Sequence, residues 1–209
     1  MWFACRLALV CWGLLGCASG PQPSGETATY GVRGGRVWVR GPWEAITPSS
    51  NADEVIDQLC PAIMRLPRAK QEDRGWEYCG VIYSLEDGTY YASHPSPLAD
   101  TRMGVVSPQK NCFIPSIVED ARGRIVPLGD YHSHPWSPSR MSLADRFSAN
   151  QVYSLRLQFD QACLVQKLIP YLNEERPGEL YERQGKHWKL IGRIKPEHKA
   201  SGVITRVND

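Results

Sequence analysis

Apolar residues in this chain recur with two periods, and each period predicts one kind of element. Between about 51 and 65 they recur at helical spacing, behind a segment with capping character and ahead of Pro67, which predicts a helix. Apolar runs rich in β-branched and aromatic residues predict strands at 36–40, 76–83, 90–92, 124–134, 162–165, 179–183 and 187–191. The turn residues at 86–89 join the second and third of these strands as a hairpin.

Three weaker patterns complete the expected order of elements. A short strand is expected near 110–114, a short helix over 116–121, and a longer helix from about 142 to 152. Helices and strands in this order favour the α/β class, with helices packed on a mixed, curved sheet as an α/β sandwich.

The strand predicted at 124–134 ends in two histidines, His132 and His134, which are separated by one residue. The strand period of two places both imidazoles on the same face, where they could bind one ion. Asp145 would complete the group if the proline- and serine-rich loop at 135–140 folds back and a helix begins near Ser142. That helix would turn the carboxylate of Asp145 toward the rings. Two neutral imidazoles, one carboxylate and an open fourth position suit zinc in a catalytic site.

The same residues have ordinary structural interpretations. His132 and His134 could be polar residues at a strand edge, and the prolines that follow could simply close a loop. Ser142 and Asp145 stand in the order S-x-x-D, so Ser142 could be only a helix N-cap and Asp145 only an N3 residue stabilised by the helix dipole. The pair of histidines does not by itself decide between these interpretations.

The complete spacing resembles a known signature. The sequence H-S-H at 132–134, followed by seven residues, Ser142, two residues and Asp145, is similar to the motif of the JAMM (MPN-plus, JAB-domain) zinc metallopeptidases. In that family a proline commonly follows the second histidine, as Pro135 does here. The family also has an upstream glutamate on a strand, and Glu77 in the segment GWEYCGVIY matches it.

The resemblance covers about residues 50–190 and implies a fold, a cofactor and a mechanism. The fold would be the cytidine-deaminase-like α/β sandwich of JAMM domains, with helices flanking the sheet, and the metal would be Zn²⁺. Glu77 would act as general base on a zinc-activated water and then protonate the leaving amine, while Ser142 would stabilise the oxyanion. The H-x-E and P-C-x-x-C motifs of the related zinc deaminases do not occur in the sequence.

The overall composition suits one globular domain with short extensions, since the chain has 209 residues, 42% of them hydrophobic, and a formal charge of +2. No excess of basic residues points to nucleic acid as a partner. We place the domain at 35–195, after a tether at 17–34 that is small, polar and rich in proline and glycine. A C-terminal tail is expected at 196–209.

Residues 1–16 have the pattern of a lipoprotein signal peptide. The apolar run at 7–15 is too short to span a bilayer and suits a signal h-region. The sequence LLGC at 14–17 resembles a bacterial lipobox, which implies cleavage before Cys17 and a lipid on its sulfur that attaches the protein to a membrane. An ordinary secretory signal or an uncleaved anchor are the alternatives. We expect residence in the bacterial cell envelope, and Ala18 favours the outer membrane.

The remaining cysteines of the exported chain, Cys60, Cys79, Cys112 and Cys163, would meet an oxidising compartment. They could form two disulfides in any of three pairings, among which the sequence does not choose. The alternative is that they are buried as small apolar side chains.

We therefore expect a zinc-dependent hydrolase that cleaves peptide or isopeptide amide bonds of a peptide or protein substrate at the cell envelope. Well-known JAMM enzymes cleave isopeptide bonds of ubiquitin-like tags, which an envelope protein would not ordinarily meet. Two alternatives stay open: a catalytically silent MPN-like binding scaffold, and an envelope amidase that acts on peptidoglycan peptides. The sequence does not determine the oligomeric state.

Overall fold

Two β-sheets and two short α-helices make up the part of the chain that the computed structural model describes, residues 28–99 and 111–207. The expected signal peptide and the lipid attachment at Cys17 lie outside these ranges. No helix within the two ranges is long and apolar enough to cross a membrane.

The elements follow one another along the chain as short strands with few helices between them. The strands are β1 (Tyr30–Arg33), β2 (Arg36–Arg40), β3 (Cys79–Ser84), β4 (Tyr90–Ala92), β5 (Ile117–Glu119), β6 (Val126–Ser133), β7 (Arg156–Phe159), β8 (Val165–Ile169), β9 (Gly178–Gln184), β10 (His187–Ile194) and β11 (Thr205–Arg206). The helices are α1 (Ala52–Ile63) and α2 (Leu143–Arg146), with 3-10 turns at Glu72–Arg74, Ser148–Asn150 and Pro196–His198.

The larger sheet has eight strands in the order β11-β10-β9-β8-β7-β6-β3-β4. Its neighbouring strands are antiparallel except for β6 and β7, which are parallel. The smaller sheet has the order β1-β2-β5, in which β1 and β2 are antiparallel and β2 and β5 are parallel. Both sheets are therefore mixed, and the predicted α/β class is confirmed.

Helix α1 lies against one face of the larger sheet and forms the main core with it. Its buried residues Val55, Leu59 and Ile63 share a hydrophobic cluster with Tyr131 of β6 and Leu157 of β7. Asn51 caps the helix by accepting the N–H of Asp53, as the capping segment in the sequence predicts. Each fully buried side chain of this size stabilises the fold by roughly 1.5–3 kcal/mol.

The opposite face of the larger sheet carries a second cluster, in which Val81 and Tyr83 of β3 pack with Val118 of the smaller sheet. Side chains alternate between the two faces of a strand. Since Tyr131 faces α1, its neighbour His132 lies on this second face. The histidines of the motif are therefore separated from the main core by the sheet itself.

Two disulfides, Cys60–Cys163 and Cys79–Cys112, confirm that these cysteines pair and select one of the three possible pairings. The first links α1 to the turn between β7 and β8, and the second links β3 to the segment before β5. The bridged residues are 103 and 33 positions apart, so both bridges restrict the unfolded chain and stabilise the fold by about 3–5 kcal/mol each.

The segment before β6 differs from its prediction. The short helix expected at 116–121 is instead the strand β5, in which Ile117 and Val118 pair with β2. β-branched residues favour a strand wherever a partner edge is available. The described residues of the strand expected near 110–114 do not form one.

The helix expected over 142–152 is also wrong in extent, because α2 is only four residues long. Phe147 leaves the helical conformation, with φ −62° and ψ 132°. The side chain of Arg156 donates hydrogen bonds to the carbonyl groups of Asp145 and Asn150. These two carbonyl groups are therefore hydrogen-bonded without the N–H groups that a further helical turn would provide.

Other differences lie in the second half of the larger sheet and at the domain ends. The strand expected at 162–165 begins only at Val165, as β8, and β7 before it was not predicted at all. Strand β1 forms from the last residues of the expected tether, and β11 pairs with β10 inside the expected tail. The folded region therefore extends beyond 35–195 at both ends.

Candidate metal centre

The two histidines of the motif come from the central strand β6 and the position directly after it. His132 lies in β6 and His134 follows Ser133, the last residue of the strand. The centroids of the two rings are 5.1 Å apart, and their side chains are 4% and 9% exposed. The prediction that both rings occupy the same face is confirmed.

Asp145 reaches these rings from α2. Its Oδ1 lies 3.3 Å from Nε2 of His132, and its Oδ2 lies 3.6 Å from Nε2 of His134. One ligand atom from each of the three residues lies within 4.8 Å of the others. The structure therefore brings the three residues together, and the group could hold a metal ion.

The spacing of the ligand atoms distinguishes between coordination geometries. Two ligands that each lie about 2.0–2.1 Å from a tetrahedral ion are about 3.3–3.4 Å apart, whereas neighbouring ligands of an octahedral ion at the same bond length are about 2.9 Å apart. The observed separations of 3.3 and 3.6 Å are closer to the tetrahedral value.

One nitrogen of the His132 ring, Nε2, is available to a metal ion. Both nitrogens of the ring are buried and lack a hydrogen-bond partner among the residues that the structure describes, so Nε2 is close to Asp145 without the alignment of a hydrogen bond. A buried polar atom without a partner costs about 1–3 kcal/mol. A cation between the ring and the carboxylate would satisfy Nε2, so the residues fit a metal.

Glu77 lies beside this group, as the pairing of β3 with β6 requires. Cys79 is opposite His132 in the antiparallel register, and two residues further along the same register Glu77 comes opposite His134. Its Oε1 is 3.9 Å from Nε2 of His134, and its side chain is 7% exposed. The structure therefore places Glu77 next to the candidate ligand His134.

The backbone around Glu77 is fixed from two sides. The N–H of Tyr78 donates to the hydroxyl of Ser133 at 2.9 Å, and the N–H of Ser133 donates to the carbonyl of Tyr78 at 3.1 Å. Gly75 allows the segment to approach the loop after the histidines, because a Cβ there would overlap with Pro135. The glutamate is thus held next to the end of β6.

Ser142 is the N-cap of α2 and is exposed. Its hydroxyl accepts the N–H of Asp145 at 3.2 Å, and its own N–H donates to Oδ2 of Asp145 at 2.9 Å, which forms a capping box. The capping interpretation of both residues is therefore confirmed. It does not exclude a ligand role, because the same hydrogen bonds orient the carboxylate toward the histidines.

Arg156, which the sequence patterns did not single out, anchors α2 from β7. Its Nε donates to Oδ2 of Asp130 at 2.8 Å, its Nη1 to the carbonyl of Asp145 at 3.0 Å, and its Nη2 to the carbonyl of Asn150 at 2.6 Å. The two charged side chains are 3% and 0% exposed. A charged residue at the start of the run R-L-Q-F was the only available signal.

Ser139 is the second residue that sequence reasoning missed. Its Oγ is 2.7 Å from Nδ1 of His134, on the side of the ring away from Asp145. The loop that carries it, rich in serine and proline, looks in the sequence like an ordinary turn, so no signal pointed to this contact.

Burial and charge set the protonation of the group. Burial lowers the pKa of His134 to about 4, with a further contribution from His132. Burial alone would raise the pKa of Asp145, but the His132 ring and the hydrogen bond to Ser142 outweigh it and hold this pKa well below its usual range. At neutral pH His134 is therefore neutral and Asp145 is charged, the forms that bind metals.

Together these features define an α/β domain with mixed sheets and a group of two buried histidines and one partly exposed aspartate that could hold a metal ion. Comparisons of the chain with models of known protein families, with curated proteins and with solved structures found no match. The assignment of a function therefore depends on the residues of the site.

Proposed function

We propose that this protein is a zinc-dependent peptidase of the JAMM type, which hydrolyses peptide or isopeptide amide bonds through an activated water. The observation that carries the proposal is the meeting of His132, His134 and Asp145 with Glu77 beside them. A cluster of metal ligands could be purely structural, but structural zinc sites use four protein ligands. Among the described residues the group has three, which leaves a position for water or substrate.

Zinc is the metal that this donor set favours. Imidazole nitrogen is a borderline ligand that suits zinc, and zinc also binds the harder carboxylate oxygen; the spacing of these atoms is closer to tetrahedral than to octahedral coordination. Zinc, when bound, would supply Lewis-acid chemistry, since it polarises a carbonyl and lowers the pKa of water from about 15.7 to about 7.

The protein groups would move the proton and stabilise the developing charge. Glu77 is not within the ligand group, so its carboxylate would accept the proton of the attacking water and then deliver it to the leaving amine. The hydroxyl of Ser142 accepts one hydrogen bond from Asp145, which leaves its own proton to donate to the oxyanion of the substrate.

The fold supports the same proposal. Helix α1 on a mixed sheet agrees with the α/β class that the resemblance implies, and the three proposed ligands come from the end of β6 and from the next helix, α2. We therefore propose the cytidine-deaminase-like α/β sandwich of JAMM domains for this chain. Two disulfides favour an oxidising compartment, which fits the proposed lipid-anchored location in the cell envelope.

The test is cleavage of a peptide library by the purified protein, with zinc and with a chelator. The proposal predicts zinc-dependent cleavage and, for Glu77→Gln, a decrease in kcat of at least about 100-fold with zinc retained, because only the general base is removed. Glu86→Gln is the matched control, since Glu86 lies on the exposed hairpin turn, and it should have the activity of the unaltered protein.

Two results would contradict this assignment. Unchanged turnover of Glu77→Gln would exclude Glu77 as the base. A zinc-loaded protein that cleaves no peptide, isopeptide or peptidoglycan amide would favour the binding scaffold instead.

A further inference from the structure

The loop between β6 and α2 is fixed at Ser139 by side chains from β7 and the residue after it. The N–H of Ser139 donates to Oδ2 of Asp160 at 3.0 Å, and its carbonyl accepts Nε2 of Gln158 at 2.8 Å. Both main-chain groups of this loop residue are therefore bound, independently of its own side chain. The hydroxyl remains, and it lies 2.7 Å from Nδ1 of His134.

The two side chains that hold Ser139, those of Asp160 and Gln158, are themselves almost completely buried. The second oxygen of Asp160 accepts the N–H groups of Ala162 and Leu164, at 2.9 and 3.0 Å. Gln158 lies in β7, which pairs directly with β6, the strand of the histidines. The same strand pair therefore fixes both the histidines and the hydroxyl that contacts one of them.

A histidine that binds a metal through Nε2 carries its proton on Nδ1, and that proton needs an acceptor. For His134 the hydroxyl of Ser139 is in that place, while Nε2 faces Asp145. His132 differs, because its buried Nδ1 has no hydrogen-bond partner within the described chain. The two ligands are thus held unequally.

We propose that Ser139 is a positioning residue of the candidate metal centre. Its hydroxyl accepts the Nδ1 proton of His134 and so fixes the tautomer and orientation that direct Nε2 toward the ion. This inference rests on the metal site of the proposed function, but it does not depend on whether the site hydrolyses peptides.

The side chain of Ser139 can be removed without disturbing the loop. Since Asp160 and Gln158 bind only main-chain groups, Ser139→Ala should keep the loop conformation and lose only the contact with His134. Ser139→Thr keeps a hydroxyl and is the conservative variant. Ser137→Ala is the matched control, because Ser137 is an exposed serine of the same loop.

The experiment measures zinc affinity of the full protein by competition with a chelator, together with the ¹⁵N chemical shifts of the His134 ring. For Ser139→Ala we expect zinc affinity to fall about 10–100-fold, the usual effect of losing a hydrogen bond to a ligand. In the metal-free protein, where no ion fixes the tautomer, we also expect the ring to lose its preference for the Nδ1–H form. Ser139→Thr should restore both quantities and Ser137→Ala should change neither.

The inference is overturned if Ser139→Ala binds zinc as tightly as the unaltered protein with unchanged ring shifts, or if the threonine variant restores nothing. These outcomes are distinct from a failure of the proposed function. A protein that binds zinc but cleaves nothing still gives the affinity comparison. A protein that binds no zinc has no metal centre for Ser139 to position, and that result overturns the inference.

Discussion

The low pKa of His134 has a consequence for the whole protein, because burial keeps this ring neutral only while the chain is folded. A histidine in the unfolded chain has a pKa of about 6.5. Between that value and the folded value of about 4, the unfolded chain binds a proton that the folded chain does not bind. Acid therefore favours unfolding in this range.

We predict that the metal-free protein loses stability as the pH falls from about 6.5 to 4, by on the order of 3 kcal/mol for this one group. Asp145 acts in the same direction, since its lowered pKa stabilises the fold above the unfolded value of about 3.9 and this contribution disappears as the pH falls further. Urea unfolding at pH 7, 6, 5 and 4 measures the effect. His134→Gln should have a flatter dependence, and identical curves for the two proteins would contradict the prediction.

Helix α2 is a single turn, and an isolated helix of this length is not stable in water. Its position is therefore set by contacts with residues outside the helix. The capping box of Ser142 fixes its start, and the guanidinium of Arg156, in β7, binds the carbonyl of Asp145 near its end. The same guanidinium is paired with the buried Asp130, so one charged pair both stabilises the sheet and places Asp145.

Two variants should separate these two roles of Arg156. Arg156→Met leaves the charge of Asp130 buried without its partner, so we expect a loss of about 3–5 kcal/mol in the free energy of unfolding and weaker zinc binding. The double variant Asp130→Leu/Arg156→Met removes both charges of this pair. Much of the lost free energy of unfolding should therefore return, while zinc affinity stays low. Chemical unfolding and chelator competition measure the two quantities. Recovery of zinc affinity in the double variant would show that Arg156 does not position Asp145.

The elements that the sequence predicts well are those with a strong local pattern. Helix α1 has helical periodicity and a cap at Asn51, and the β3–β4 and β9–β10 hairpins have clear turn residues. The elements that differ depend on distant partners. Ile117 and Val118 become a strand because β2 is nearby, and α2 ends early where Arg156 binds the carbonyl of Asp145.

At the scale of the whole molecule, the site forms where two parallel strands end together. Strands β6 and β7 run in the same direction, so their carboxyl ends meet at one edge of the sheet. His134 follows the first strand and Asp160 follows the second, with the loop of Ser139 between them. The spacing in the sequence pointed to the two histidines, the aspartate and the glutamate as one candidate group. The supporting residues could not be predicted because their roles depend on this long-range pairing.

The most direct measurement of the central claim is the zinc content of the purified protein and of single alanine variants at the three ligand positions. We expect about one zinc per chain in the unaltered protein and in His187→Ala, whose histidine lies in the exposed β9–β10 hairpin. His132→Ala, His134→Ala and Asp145→Ala should each lose the metal while remaining folded. Absence of zinc from the unaltered protein, or full zinc content in all three variants, would contradict the assignment of these residues as a metal centre.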